Sequence, residues 1–116
     1  MRLFVDVDDT LILYKGEGPH PYGVRFGEPY VANMRLSSEM TRFFGVNQDA
    51  QLFVWSGGGA QYAREVGSRF VHDLEPTFLT KDRDAFGLVS LGDIVIDDQP
   101  IKVGVEVQDP LEWKAI

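Results

Sequence analysis

Arg2-Leu3-Phe4-Val5-Asp6-Val7-Asp8-Asp9-Thr10 is a short, almost unbroken apolar run that stops in a cluster of acids. A strand with apolar residues on both of its faces belongs inside a parallel sheet, where helices cover both sides. Similar runs recur at Gln51-Leu52-Phe53-Val54-Trp55 and at Asp93-Ile94-Val95-Ile96-Asp97, with a shorter one at Thr77-Phe78-Leu79-Thr80. Val103-Gly104-Val105-Glu106-Val107 alternates and reads as an edge strand.

Helical patterns separate these runs. Leu36, Met40, Phe43 and Phe44 recur at helical spacing, with Ser37 or Ser38 as the cap and Gly45 as the stop. Tyr62, Ala63, Val66 and Phe70 form a second apolar stripe just beyond Gly57-Gly58-Gly59. The segment 81–92 has room for about one helical turn. Alternating strands and helices predict an α/β fold, a Rossmann-like three-layer sandwich with a mainly parallel sheet. Between Leu11-Ile12-Leu13-Tyr14 and Pro29-Tyr30-Val31-Ala32 the chain is rich in Gly and Pro. Those flanks pair as a small hairpin, so residues 11–34 read as a flap, with no separate cap domain. His20 and Tyr22 fall in this flap and are expected to be solvent-exposed.

With 116 residues the chain is the length of one domain, so 1–116 is a single unit. It carries 11 Lys and Arg against 18 Asp and Glu, a net charge of −7. That balance argues against nucleic acid and anionic membranes as partners. There is no cysteine, which excludes disulfides, thiolate nucleophiles and zinc–cysteine sites, and two histidines are too few for a multi-histidine metal centre. No apolar run is long enough to span a membrane, and the N-terminus enters a strand at once without a signal peptide. A cytoplasmic protein is the expectation.

In an open parallel sheet the carboxyl ends of the strands converge on one crevice. Here that edge would gather Asp6, Asp8, Asp9, Ser56, Gly57, Asp97 and Asp98. Carboxylates packed together repel unless protons or a cation neutralise them. An all-oxygen set suits Mg²⁺. The turn Ser56-Gly57-Gly58 ahead of a helix offers backbone N–H groups to a phosphate. A hard cation beside a phosphate cradle points to phosphoryl transfer. Asp6 and Asp8, two apart, project to one side of the strand about 6–7 Å from each other. Asp6 reads as the nucleophile, and Asp8 as the general acid and then the base for water. The site cation is Lys81 at the end of the third strand, with Lys102 as runner-up. Asp97 is the preferred metal ligand of its pair, Asp98 being supporting or solvated. Asp9 serves the turn or faces solvent, Thr10 hydrogen-bonds within the motif loop, and Trp55 belongs to the core.

Asp6-Val7-Asp8-Asp9-Thr10 resembles the first motif of the haloacid dehalogenase superfamily of phosphotransferases. Ser56 resembles its second motif, Lys81 its third and Asp97-Asp98 its fourth, all in order. The resemblance implies Mg²⁺ held by Asp6, Asp8, Asp97 and Asp98, substrate phosphate held by Ser56, Gly57 and Lys81, and catalysis by Asp6, Asp8, Ser56 and Lys81 through an aspartyl-phosphate. Phe53-Val54-Trp55-Ser56-Gly57, Thr80-Lys81-Asp82 and Ile96-Asp97-Asp98-Gln99-Pro100 are similar to segments of phosphatases of the RNA polymerase C-terminal-domain branch, although Gly57-Gly58 replaces a bulkier pair there. The expected activity is phosphomonoester hydrolysis on a phosphorylated small molecule or phosphoprotein. A non-catalytic phosphate-binding or interaction module of the same fold is the alternative. With only a flap over the site, a homo-oligomer whose neighbouring subunit acts as the cap is also open.

Overall fold

The computed structural model describes residues 1–16, 20 and 23–115. Tyr22 lies outside the described residues. Five parallel strands form the main sheet: β1 (Arg2–Asp6), β4 (Gln51–Ser56), β5 (Thr77–Thr80), β6 (Ile94–Ile96) and β7 (Val107–Gln108). Their order is β5-β4-β1-β6-β7. In register, Leu3 faces Leu52 on one side and Ile94 on the other. β2 (Ile12–Tyr14) and β3 (Tyr30–Ala32) form the antiparallel hairpin, Tyr14 opposite Tyr30. The fold is the α/β sandwich expected from the apolar runs.

The chain moves outward from β1 to β4 to β5, then returns past both to β6. Right-handed crossovers therefore put the first two helical layers on one face and the last on the other. The cores follow this division. Leu3 and Val5 pack with Leu36, Met40 and Phe43 of α1 (Met34–Val46) and with Tyr62, Ala63 and Val66 of the second helical stretch. Phe4, Trp55 and Val95 face Ala85 of α4 (Arg83–Phe86) and Val103. Trp55, wholly buried, lies 4.9 Å from Phe4 and 5.5 Å from Phe86 between ring centroids. Burying each large apolar side chain in these layers contributes about 1.5–3 kcal/mol.

α1 departs from expectation at both ends. Its cap is Asn33, whose side chain accepts from the Leu36 N–H at 3.1 Å, rather than Ser37 or Ser38, which lie inside the helix. The reason is that Asn33 has donors as well as an acceptor. Its Nδ2 bonds the Thr10 carbonyl at 3.0 Å and the Pro110 carbonyl at 3.2 Å. A serine cap has only one proton to give. The helix also runs through Gly45 and ends at Val46, where the Asn47 N–H closes on the Phe43 carbonyl.

The second stretch begins as α2 (Ala60–Tyr62), widens into a π-helical turn (Ala63–Gly67) and closes as α3 (Ser68–Val71). Gly67 sits where a Cβ would come within 3.0 Å of Val54 Cγ1, so its missing side chain lets this helix lie close on the sheet. The expected edge strand at 103–107 is reduced to Val107–Gln108, because Gly104 adopts φ +84° and turns the chain. No helix among the described residues is long and apolar enough to cross a membrane.

Candidate active site

Because the strands are parallel, Asp6, Ser56, Thr80-Lys81 and Asp97 all emerge at one edge. Asp6, Ser56 and Lys81 line an open cleft of about 550 Å³ together with Asp8, Asp98 and His20. Lys81 is fixed at its root by its N–H on the Ser56 carbonyl, 2.8 Å. Its ammonium bonds Asp6 Oδ1 at 3.2 Å and Asp97 Oδ2 at 3.1 Å. Lys102 is exposed and takes no part in this bridge. Asp97 is anchored further by the Gln99 N–H on Oδ1 at 3.0 Å. Asp98 stands at the lip, more exposed, yet one carboxylate oxygen from each of Asp6, Asp97 and Asp98 lies within 4.8 Å of the others.

The electrostatics follow from this crowding. Burial, then the Asp97 charge, raise the Asp6 pKa well above the ordinary carboxyl value, and Lys81 opposes that rise. Burial and Asp97 push Asp98 up to about 6. For Lys81, burial disfavours the charge, but attraction to Asp6 and Asp97 outweighs it and the pKa rises. One ammonium against three ionised carboxylates leaves two charges uncompensated. The donor set is all hard oxygen, so the three carboxylates could hold a hard divalent cation.

Asp8 is placed differently. Its carboxylate is not among those three. Its Oδ1 accepts from the Tyr14 hydroxyl and from the Tyr62 hydroxyl, the latter at 2.7 Å. Burial and these bonds raise the Tyr62 pKa to about 12 and lift that of Tyr14 as well. Asp9 turns the chain behind Asp8 with φ +58°, a left-handed conformation that Asp tolerates better than most residues.

The glycine turn is less open than its composition suggests. The Gly58 N–H bonds Ser56 Oγ at 3.0 Å, the Gly59 N–H bonds the Ser56 carbonyl at 3.1 Å, and the Ala60 N–H bonds Thr80 Oγ1 at 3.0 Å. Ser56 thus organises the turn, and Gly57 is the member whose N–H is not engaged by it. Thr10 Oγ1, expected to bond within the motif loop, is buried with no partner among the described residues; only its backbone N–H bonds the loop, to the Val7 carbonyl. The loop's polar tie comes from Asn33 instead.

Several site residues have no signature in the sequence. Tyr62 reads as a member of an apolar stripe and Tyr14 as the end of an apolar hairpin flank, and only the fold brings their hydroxyls to Asp8. Arg25, from the flap's 3₁₀ turn (Gly23–Phe26), bonds the Gly58 carbonyl at 3.1 Å and covers the Tyr62 ring at 4.8 Å. His20 is half-buried rather than free in solvent, stacked 4.8 Å from the Tyr14 ring and bonded to the Gly16 carbonyl. That bond leads the influences that raise its pKa.

Fold and site together define an α/β protein with a carboxylate–lysine cleft at the carboxyl edge of its sheet. Against known protein families, curated proteins and solved structures, the chain finds no match in any of the three comparisons.

Proposed function

We propose that the chain is a Mg²⁺-dependent phosphomonoester hydrolase working through a phosphorylated Asp6. The observation that carries this reading is the Lys81 ammonium held between Asp6 and Asp97, with Asp98 completing a three-carboxylate group in an open cleft. Asp6, Asp97 and Asp98 would hold the cation, which when bound keeps them ionised and offsets the charge of the phosphoryl group. Lys81 and the Gly57 N–H contribute donors to the phosphate oxygens, and Ser56 keeps the turn in shape.

The Asp6 carboxylate attacks phosphorus as the ester P–O bond breaks. Asp8 gives its proton to the departing alcohol oxygen. Water then attacks phosphorus, Asp8 takes a proton from it, and the Asp6–phosphorus bond breaks to release phosphate. The balance is phosphomonoester plus water to alcohol plus phosphate. Beside the cleft, a groove of about 620 Å³ lined by Leu13, Ile101, Val105 and Leu111 leaves room for a bulky alcohol portion.

The test is turnover of 4-nitrophenyl phosphate by metal-stripped protein before and after adding Mg²⁺, with mass spectrometry of acid-quenched samples. Mg²⁺-dependent release of nitrophenol, a phosphate-sized mass gain on the Asp6 peptide and loss of both in Asp6→Asn support the reading. Phosphate binding without turnover would replace it with a non-catalytic module.

A further inference from the structure

We infer that Tyr14 and Tyr62 are positioning residues that clamp Asp8 by one oxygen, Oδ1, and so reserve the other, Oδ2, for proton transfer; this rests on the hydrolase reading. Asp8 lies two residues beyond the end of β1, outside the main sheet, its backbone bridged to Ile12 and followed by the left-handed Asp9. A carboxylate there would sample several rotamers unless something held it. Two hydroxyls from separate elements hold it: Tyr14 at the end of β2 and Tyr62 at the end of α2, one residue before the π-helical turn.

The donor direction is set by the surroundings. The Tyr14 hydroxyl accepts the Val24 N–H at 3.2 Å, so its single proton is free to go to Asp8. Each phenol is itself braced. The Tyr14 ring stacks on His20, and the Tyr62 ring lies beneath Arg25, which is anchored on the Gly58 carbonyl. Oδ1 accepts two bonds whether Asp8 is ionised or protonated on Oδ2. Oδ2 therefore carries the proton to the leaving alcohol and later receives one from water. Phenylalanine would serve the packing of both tyrosines, so packing alone does not account for the hydroxyls.

Tyr62→Phe, Tyr14→Phe and the double variant, as full chains with Mg²⁺, are compared with the parent on phenyl phosphate and on 4-nitrophenyl phosphate. Tyr62→Phe is the cleaner change, since it leaves no N–H without a partner. Thermal melting verifies that each variant is folded. A loosened Asp8 lowers kcat rather than raising KM, on the order of tenfold per hydroxyl and a hundredfold for the pair. The loss is larger with phenyl phosphate, whose leaving oxygen needs the proton more. With 4-nitrophenyl phosphate the double variant accumulates phosphorylated Asp6, seen as the mass gain on that peptide. Folded variants with unchanged kcat, or with equal losses on both esters and no accumulated phosphoenzyme, overturn the inference while leaving the hydrolase reading intact. A parent protein that turns over neither ester removes both.

Discussion

Replacing Lys81 with methionine takes a charge from the centre of the site and leaves its acidic partners behind. The ammonium lies 3.2 Å from Asp6 and 3.1 Å from Asp97, and the side chains of the two acids are 7% and 0% exposed. Removing one partner of a buried ion pair costs about 3–5 kcal/mol. Proton uptake by a stranded carboxyl limits the loss, so the low end, about 3 kcal/mol, applies near neutral pH. At about 4 °C per kcal/mol for a chain of this size, Tm falls by about 12 °C. The loss depends on pH in a defined direction. Burial and Asp97 already hold the Asp6 pKa above its ordinary 3.8, and removing Lys81 raises it further. A carboxyl of raised pKa in the folded state costs nothing below the unfolded value and progressively more as pH climbs toward the folded one. The deficit is therefore smaller at pH 4.5 than at pH 7.5. Thermal unfolding in chelator at both pH values, with Lys102→Met as the exposed control, measures it. A deficit that is the same at both pH values, or no larger than that of Lys102→Met, would refute the bridge as described.

Thr10→Val removes a buried hydroxyl that has no partner among the described residues and keeps the shape, so urea unfolding is expected to show a gain of about 1 kcal/mol; a loss would mean that the hydroxyl is bonded after all. Asp93 accepts from the Arg2 guanidinium at 2.8 Å and the Ser90 N–H at 2.8 Å. Burial opposes its charge, but these donors outweigh it and lower its pKa. Its contribution is present above pH 3.8 and fades as pH falls through the lowered value, so Asp93→Asn should cost about 2 kcal/mol in urea at pH 7 and progressively less as pH falls below 3.8. Asn33→Asp keeps the cap acceptor but turns a buried donor facing two carbonyls into an acceptor; a loss of about 3 kcal/mol by denaturation is expected, and a neutral result would contradict the tie.

The sheet was legible because its evidence is local. An apolar run such as Leu3-Phe4-Val5 states its own burial, and parallel strands then bring Asp6, Ser56, Lys81 and Asp97 to one edge by topology alone. What the sequence hid depends on partners far along the chain. Asn33 outranks Ser37 as a cap because it also meets Pro110, 77 residues away. Tyr62 looks like one more apolar position until Asp8, 54 residues earlier, is found against its hydroxyl. The glycine turn was read as a set of free donors, but the Ser56 hydroxyl and carbonyl, with Thr80, take up three of them. Val103-Gly104-Val105 carries the alternation of a strand, yet Gly104 at positive φ ends that pattern.

β1 is the first strand in the chain and the middle strand of the sheet, and one of its two neighbours, β6, begins only at Ile94. During synthesis β1 can pair with β4 once residues 51–56 have emerged, but its other hydrogen-bonding side waits for nearly the whole chain. Closure of that gap is a long-range event, which slows folding relative to local contacts. Until then the nascent chain presents an apolar strand with a free edge, the kind of surface that recruits other chains and calls for chaperone protection. The residue that ends the wait is followed two positions later by Ile96 and then by Asp97 and Asp98. Maturation of the molecule and assembly of its acidic centre are thus one event, and a chain stopped short of that point would be exposed to aggregation and would lack Asp97 and Asp98.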